Sequence, residues 1–345
     1  MAWKNRSQHL RLCASAPLRE NCIFSKMKTT VEKSVAFAMD SAMCGMMNVL
    51  QWHRRDQVCS LDDFDAYVAS CVGISREEFY RLPDVHDFTQ TKNTFEWPSP
   101  RPSGFLENDR ARVHYFPCSK GPSAPTVLLL HALMSSSDIG YRRLARWYND
   151  RGWNVAFPHL PFHYSRTPEG HFNGLLAINA NLIRNVETIR QCVIELRQLM
   201  RELRNRGCEE FALMGTSWGG WNGAILSFLE TDFRFVALIQ PIVNVEHAIW
   251  GNPGSATMRR LLLARGFEPW GLGHDVALCS PLHGAPLCPA ERVVITAGLY
   301  DHVSPLDQLQ ILHRAWPGSK LLSVRQGHFG HLALRKTLEE ITPLL

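Results

Sequence analysis

The stretch Phe211-Ala-Leu-Met-Gly215-Thr-Ser217-Trp-Gly219-Gly220 decides the fold of this 345-residue chain. In it an apolar run leads into Gly-x-Ser-x-Gly, and a helix-like segment follows at once. A serine on a sharp strand-to-helix turn is held in a strained backbone conformation that exposes its hydroxyl, and small neighbours let the backbones approach. The motif therefore predicts a nucleophilic Ser217, with a purely structural turn as the alternative.

From about residue 106 onward, short apolar runs alternate with longer helix-like segments. Such alternation indicates an α/β fold, with a mainly parallel sheet and helices on both of its faces. Strands are expected at 112–117, 126–131, 154–158, 210–214, 235–239, 292–297 and 320–324. Helices are expected at 141–151, 182–206, 218–229 and 305–316.

Residues 1–105 differ from the rest and are expected to form a helical accessory region. Helices are predicted at 30–53, 60–69 and 75–81, and the Pro-rich passage 90–104 is interpreted as a linker. Residues 34–50 are rich in apolar residues and are interrupted by Asp40, which favours a packed amphipathic helix. Residues 106–345 would then be the catalytic domain.

Composition excludes several classes of protein. The hydrophobic fraction of 45% and the charged fraction of 20% are typical of a globular protein. The net charge of +5 comes from scattered residues and not from a basic stripe interleaved with aromatic residues, so no nucleic-acid partner is expected. No run reaches the roughly 18 apolar residues of a membrane span.

Targeting and metal signals are weak. The first 22 residues contain no apolar segment typical of a signal peptide. The ten cysteines show no metal-ligand spacing, which favours free thiols in a reducing compartment, although one bridge such as Cys279 to Cys288 stays an alternative. We expect a cytoplasmic protein without a metal or cofactor, and the sequence does not indicate its oligomeric state.

Two further residues complete a candidate catalytic triad. Asp301 follows the apolar run at 292–297, so its carboxylate is expected at the sheet edge where open α/β sheets bind ligands. Capping of the helix near residue 305 is the alternative role of Asp301. His328 follows the last strand and a glycine, and we favour it over His331 because the triad histidine belongs to the loop before the terminal helix.

An oxyanion hole requires backbone N–H groups that point at the developing negative charge. Trp218, directly after Ser217, is expected to supply one of them. Leu133, in the loop after strand 126–131, is expected to supply the other. His131 is expected to form hydrogen bonds within that loop.

These motifs together resemble the α/β-hydrolase superfamily of serine hydrolases over residues 106–345. The order Ser217, Asp301, His328 is the order of that superfamily. One departure is that its usual His-Gly in the oxyanion loop is His131-Ala132 here, which puts the second donor in question. The run from Ala315 to His328 is similar to the abhydrolase-domain-containing protein eighteen-like branch.

The resemblance also implies a lid. Residues 244–290 occupy the place where this fold commonly carries one, and Trp250 would line an apolar pocket for acyl chains. Packing of an extra helical layer is the alternative role of its aromatic residues. His131, Tyr164 and Arg166 are further candidates for the pocket.

The function expected from this site is hydrolysis of a carboxylic ester through an acyl-enzyme, on a small and hydrophobic acyl ester. Alternatives with the same triad are a thioesterase, an amidase, an acyltransferase and a peptidase of the prolyl-oligopeptidase type. A catalytically silent protein that binds ligands in the same pocket is the alternative from another class.

Overall fold

The computed structural model describes residues 16–53, 57–85, 87–272 and 276–345, with side chains from residue 29 onward. The predictions for the first 22 residues therefore lie largely outside the described residues. Within these ranges nine strands form one sheet. They are β1 (Thr89–Gln90), β2 (Thr94–Pro98), β3 (Arg110–Phe116), β4 (Thr126–Leu130), β5 (Asn154–His159), β6 (Phe211–Thr216), β7 (Phe233–Ile239), β8 (Val293–Gly298) and β9 (Lys320–Val324).

The sheet is mainly parallel. Its strand order is β1-β2-β3-β5-β4-β6-β7-β8-β9, and the last six strands in this order, β5-β4-β6-β7-β8-β9, run parallel to one another. Strands β1, β2 and β3 add antiparallel pairs at one edge. Each predicted strand is present, with ends that differ by one or two residues. The central strands are buried on both faces, which explains their continuous apolar runs.

Helices cover both faces of the sheet, as predicted. Helices α5 and α6 pack in one apolar core, while α4 and α9 pack in a second core on the opposite face. The helices in the described ranges are α1 (Ala16–Trp52), α2 (Leu61–Cys71), α3 (Arg76–Phe79), α4 (Ile139–Asn149), α5 (Leu182–Asn205), α6 (Trp218–Leu226), α7 (Ala256–Leu263), α8 (Leu306–Ala315) and α9 (Leu332–Ile341).

The linker predicted at 90–104 is wrong for part of its length. Strand β2 lies inside it and pairs with β3, so that Phe95 lies opposite Val113 and Trp97 opposite Ala111. Phe95 and Trp97 are buried in the core, whereas Glu96 between them points outward and pairs with Arg112. The period-two alternation of a strand is present here, but the surrounding prolines suggested a linker. The division of the chain near residue 105 stays a prediction.

Helix α1 packs along the molecule by a narrow stripe. Ala36, Asp40 and Cys44, four residues apart, are buried, while most of the other apolar side chains described for it, from residue 29 onward, are exposed. Asn48 anchors the helix, because its side chain donates to the carbonyl of Pro253 and accepts from the N–H of Thr257. The N-terminal helix is thus fixed to the insertion at 244–290.

The insertion at 244–290 contains α7 and several single turns, among them a π-helical turn at His247–Gly251. Cys279 and Cys288 are both free thiols, so the bridge considered between them is not formed. None of the helices in the described ranges is long and apolar enough to cross a membrane.

Candidate active site

Ser217 lies at the sharp turn between β6 and α6. Its backbone has φ 54° and ψ −114°, a left-handed conformation that is unfavourable for a side chain with a Cβ. The turn is held by hydrogen bonds from the Ser217 N–H to the carbonyl of Ile239 and from the Ile242 N–H to the carbonyl of Ser217. The strain that the motif predicts is therefore present at Ser217 itself.

Two glycines make this turn possible. A Cβ on Gly219 would lie 2.4 Å from the carbonyl oxygen of Leu130, and one on Gly215 would lie 2.6 Å from the carbonyl oxygen of Gly219. Both distances are too short for any side chain. Without side chains at these positions, the start of α6 can approach the end of β4.

The structure brings Ser217, His328 and Asp301 into one hydrogen-bond chain. The Ser217 Oγ lies 2.9 Å from His328 Nε2, and His328 Nδ1 lies 2.8 Å from Asp301 Oδ2. All three side chains are buried or nearly so. His331, the alternative histidine, is exposed at the start of α9.

The carboxylate of Asp301 is held from several directions. Its Oδ1 accepts hydrogen bonds from the N–H groups of Val303 (2.8 Å) and Ser304 (2.7 Å), and its Oδ2 also accepts from the amide of Gln240. No side-chain bond caps the start of α8, so the alternative capping role of Asp301 is wrong. The orientation of Asp301 is instead fixed toward His328.

The protonation of His328 is governed by charges around it. Burial alone lowers the pKa of His328, but the charge and hydrogen bond of Asp301, with a contribution from Asp40, raise that pKa above its ordinary value. A proton taken up by His328 is therefore stabilised in the buried site, as a general base requires.

The backbone N–H groups of the two residues that were predicted to form the oxyanion hole are not used by the hydrogen bonds of the described fold. Leu133 and Trp218 both border the cavity in front of Ser217, and neither N–H has a hydrogen-bond partner among the described residues. The loop of Leu133 is held by its neighbour Met134, which has φ 57° and donates its N–H to His163 Nε2 at 3.0 Å. Ala132 in place of the usual glycine also borders this cavity.

The cavity in front of Ser217 has a volume of about 350 Å³ and is mostly apolar. Three parts of the chain enclose it: helix α1, the sheet-edge loops and the insertion at 244–290. Helix α1 contributes Met43, Met46 and Met47, and the insertion contributes Ala248 and Asn252. The accessory region and the insertion thus form its walls together.

The four candidate pocket residues do not line this cavity, and that prediction is wrong. His131 is fully buried, and its ring accepts a hydrogen bond from the Leu160 N–H and contacts the carbonyl of Ala132. The remaining three are Tyr164, which packs on the His159 ring, Arg166, which pairs with buried Glu195, and Trp250, which lies in the apolar core. Each is used to pack or bridge elements behind the site.

The sequence analysis did not assign their observed roles to three residues near the site: Asp40, His163 and Gln240. Gln240 has φ 46° and joins Asp301 to the carbonyl of Gly327, and His163 holds the oxyanion loop. Only Asp40 carried a visible signal, as the one charged residue in the otherwise uncharged segment 34–52. No group of three or more potential metal ligands occurs among the described side chains.

Solved structures with the same fold include two acetyl xylan esterases. The one from Thermoanaerobacterium sp. JW/SL YS485 is 18% identical and covers 82% of this chain and 95% of its own, with a TM-score of 0.53. The one from Paenibacillus sp. R4 is 12% identical and covers 84% and 98%, with a TM-score of 0.55.

A puromycin-hydrolysing peptidase of Mycobacterium tuberculosis is 17% identical, with a TM-score of 0.51, and covers 70% of this chain but 38% of its own. No protein-family profile matches the sequence, and no curated protein sequence matches it either. These structural likenesses show that the chain has the α/β-hydrolase fold.

Proposed function

We propose that the protein is a serine hydrolase that cleaves a carboxylic ester by way of an acyl-enzyme. The observation that carries the proposal is the hydrogen-bond chain from Ser217 through His328 to Asp301, beside an apolar cavity. A strained serine, a histidine within reach of its hydroxyl and a buried carboxylate behind the histidine are the parts of an activated nucleophile.

In the proposed reaction, Ser217 Oγ attacks the ester carbonyl while His328 Nε2 takes the hydroxyl proton. The new C–O bond turns the carbonyl oxygen into an oxyanion, which the N–H groups of Leu133 and Trp218 stabilise. The oxyanion collapses, and the alcohol leaves with the proton from His328. Water then attacks the acyl-enzyme while His328 takes a proton from it. His328 returns this proton to Ser217 Oγ as the bond to the acyl group breaks and the acid leaves. Asp301 keeps the His328 tautomer that can accept from Ser217.

The lining of the cavity supports a hydrophobic acyl group. Its walls include four methionine, two isoleucine and two tryptophan side chains, and its volume lies in the range of small-molecule sites. Hydrolysis of thioesters or amides and acyl transfer to another acceptor would use the same three residues. Turnover measurements with each class of substrate therefore distinguish these alternatives. The abhydrolase-domain-containing protein eighteen-like placement and the cytoplasmic location stay predictions.

The first test is labelling with a fluorophosphonate, which reacts with an activated serine. We expect labelling of the wild type and of Ser227→Ala, a buried serine at the end of α6, and none of Ser217→Ala. A folded wild type that does not label would contradict the proposal and favour the silent binding protein.

The second test is turnover of esters whose acyl chains differ in length. We expect hydrolysis by the wild type, a preference for longer acyl chains over acetyl, and a loss of about three orders of magnitude or more in His328→Ala. Equal turnover by His328→Ala and the wild type would sink the assigned base.

A further inference from the structure

Asp40 is an unusual residue for its position in helix α1. It is the only charged residue between Ser34 and Trp52, and its side chain faces inward with 1% of the residue exposed. Burial of a carboxylate is costly unless hydrogen bonds compensate it. The partners of Asp40 therefore indicate what it does.

Those partners are backbone N–H groups of the two loops that carry the proposed acid and base. Asp40 Oδ1 accepts from the N–H of His328 at 3.0 Å, and Asp40 Oδ2 accepts from the N–H of His302 at 3.1 Å. His302 directly follows Asp301. One side chain of the accessory region thus joins the loop of the acid to the loop of the base.

The contact requires Gly327. A Cβ on Gly327 would lie 2.8 Å from Asp40 Oδ1 and 3.0 Å from the Cβ of Ala36. Any larger residue would push α1 away from the His328 loop. The glycine before His328 therefore has a role that the sequence analysis did not assign to it: it lets Asp40 reach the loop.

We infer that Asp40 is a positioning residue, which holds the loops of Asp301 and His328 in the register that the hydrogen-bond chain to Ser217 requires. The inference rests on the proposed function. It makes α1 a part of the catalytic machinery in addition to a wall of the cavity. Asp40 itself does not border the cavity, so it acts through the two loops and not on the substrate.

The charge of Asp40 also acts on His328. The proximity of Asp40 helps to raise the pKa of His328, and burial together with the charge of Asp301 raises the pKa of Asp40 itself. The titratable groups that surround Asp40 are Asp301, His302 and His328 from the loops, Cys44 from its own helix and His247 across the adjoining groove.

The test compares Asp40→Asn with Asn48→Ala, which removes a different anchor of the same helix. The asparagine keeps the shape but can accept through only one of its two terminal atoms, so the loops loosen. We expect kcat to fall about tenfold to a hundredfold with little change in KM, because a shift of the reacting groups by about 1 Å costs roughly that factor.

The pH dependence of kcat/KM distinguishes a positioning role of Asp40 from a role that only attaches helix α1 to the rest of the protein. Loss of the Asp40 charge lowers the pKa of His328, so the acid limb of kcat/KM moves to lower pH in Asp40→Asn. In Asn48→Ala we expect the limb to stay at the wild-type position. The inference would be overturned if, in Asp40→Asn, the acid limb stayed at the wild-type pH and kcat equalled that of Asn48→Ala.

A second pair of variants covers the case in which Asp40→Asn does not fold. Gly327→Ala keeps the charge but forces Asp40 away, and we expect a similar loss of kcat, whereas Gly45→Ala on the open side of α1 behaves as the wild type. Full activity of a folded Gly327→Ala variant would contradict the inference about Asp40. The proposed function would still stand in that case if Ser217 of the wild type is labelled by the fluorophosphonate. A wild type without labelling would overturn both.

Discussion

At the scale of single residues, the geometry of the site depends on backbone conformations that are held by their immediate neighbours. The strained conformation of Ser217 persists because β6 and α6 hold the turn on both sides. His163 acts similarly on the loop of Leu133, since its ring accepts a hydrogen bond from the Met134 N–H and stacks on Trp218 at 5.1 Å. The orientation of these groups depends on their immediate neighbours.

Gly219→Ala tests this dependence. The added methyl would meet the carbonyl oxygen of Leu130, so we expect the free energy of unfolding to fall by about 1–3 kcal/mol and fluorophosphonate labelling to slow. Urea unfolding and the labelling rate measure the two effects. The control Gly140→Ala adds a methyl in open space on α4 and should change neither; wild-type behaviour of Gly219→Ala would contradict the steric argument.

At the scale of elements, α1 has two faces with different uses. Ala36 and Asp40 pack inward, and Met43, Cys44, Met46 and Met47 border the cavity. A helix that forms one wall of a cavity also limits the length of what the cavity can hold. Under the proposed function, the preferred length of the acyl chain should therefore respond to substitutions on α1.

Met47→Trp is expected to shorten the preferred acyl chain, because the larger ring fills part of the cavity. The measurement is kcat/KM across a series of esters of increasing acyl length. Val49→Trp is the matched control, since Val49 lies on the same helix but is 60% exposed. An identical chain-length profile in both variants would contradict the assignment of Met47 to the cavity wall.

The ends of β4 and β5 bring several histidines together in a buried cluster. Burial, with positive neighbours, lowers the pKa of His159 to about 3 and that of His163 to about 4, and it lowers the pKa of His131 as well. In the unfolded chain these rings bind protons below about pH 6.5. Between that pH and about 4, the unfolded state therefore holds more protons than the folded one.

The folded protein should consequently lose stability as the pH falls through this window. We expect the free energy of unfolding to drop by up to about 2 kcal/mol per histidine between about pH 7 and pH 5. Urea unfolding at both pH values measures it. The variant His159→Gln, which removes one titrating ring, should show a smaller drop; the same drop as in the wild type would refute this account.

At the scale of the whole molecule, residues before 106 contribute to one continuous structure. Strand β2 extends the sheet at its antiparallel edge, α2 contacts α5 through the Tyr67–Glu187 hydrogen bond, and α1 closes the cavity. Trp97 of β2 belongs to the core, because the residue is only 1% exposed and its Nε1 donates a hydrogen bond to the side chain of Gln198 on α5.

Trp97→Ala should therefore destabilise the protein as a core substitution does, by about 3–5 kcal/mol. Trp270→Ala provides the comparison, because Trp270 in the insertion is 59% exposed and its removal should change stability by less than about 0.5 kcal/mol. Urea unfolding of both variants measures the difference. Equal stabilities would mean that the region before residue 106 does not share the core.

The sequence by itself determined seven of the nine described strands, most of the described helices and the order of the three candidate triad residues. Their signals are local: apolar runs mark buried strands, and Gly215 and Gly219 flank a serine that must turn sharply. The pocket could not be predicted in this way. Tyr164 and Trp250 have residue types that suit a pocket, but whether a ring faces a cavity or a core depends on distant elements.

Only the tertiary structure decided which residues surround Ser217. Asp40 lies 288 residues before His328 in the chain, and no pattern within α1 shows that its carboxylate meets the loops of Asp301 and His328. Strand β2 was hidden for a related reason, because its identity comes from pairing with β3 and not from its own Pro-rich surroundings. Contacts across such distances are fixed by packing of the whole chain, which local periodicity does not encode.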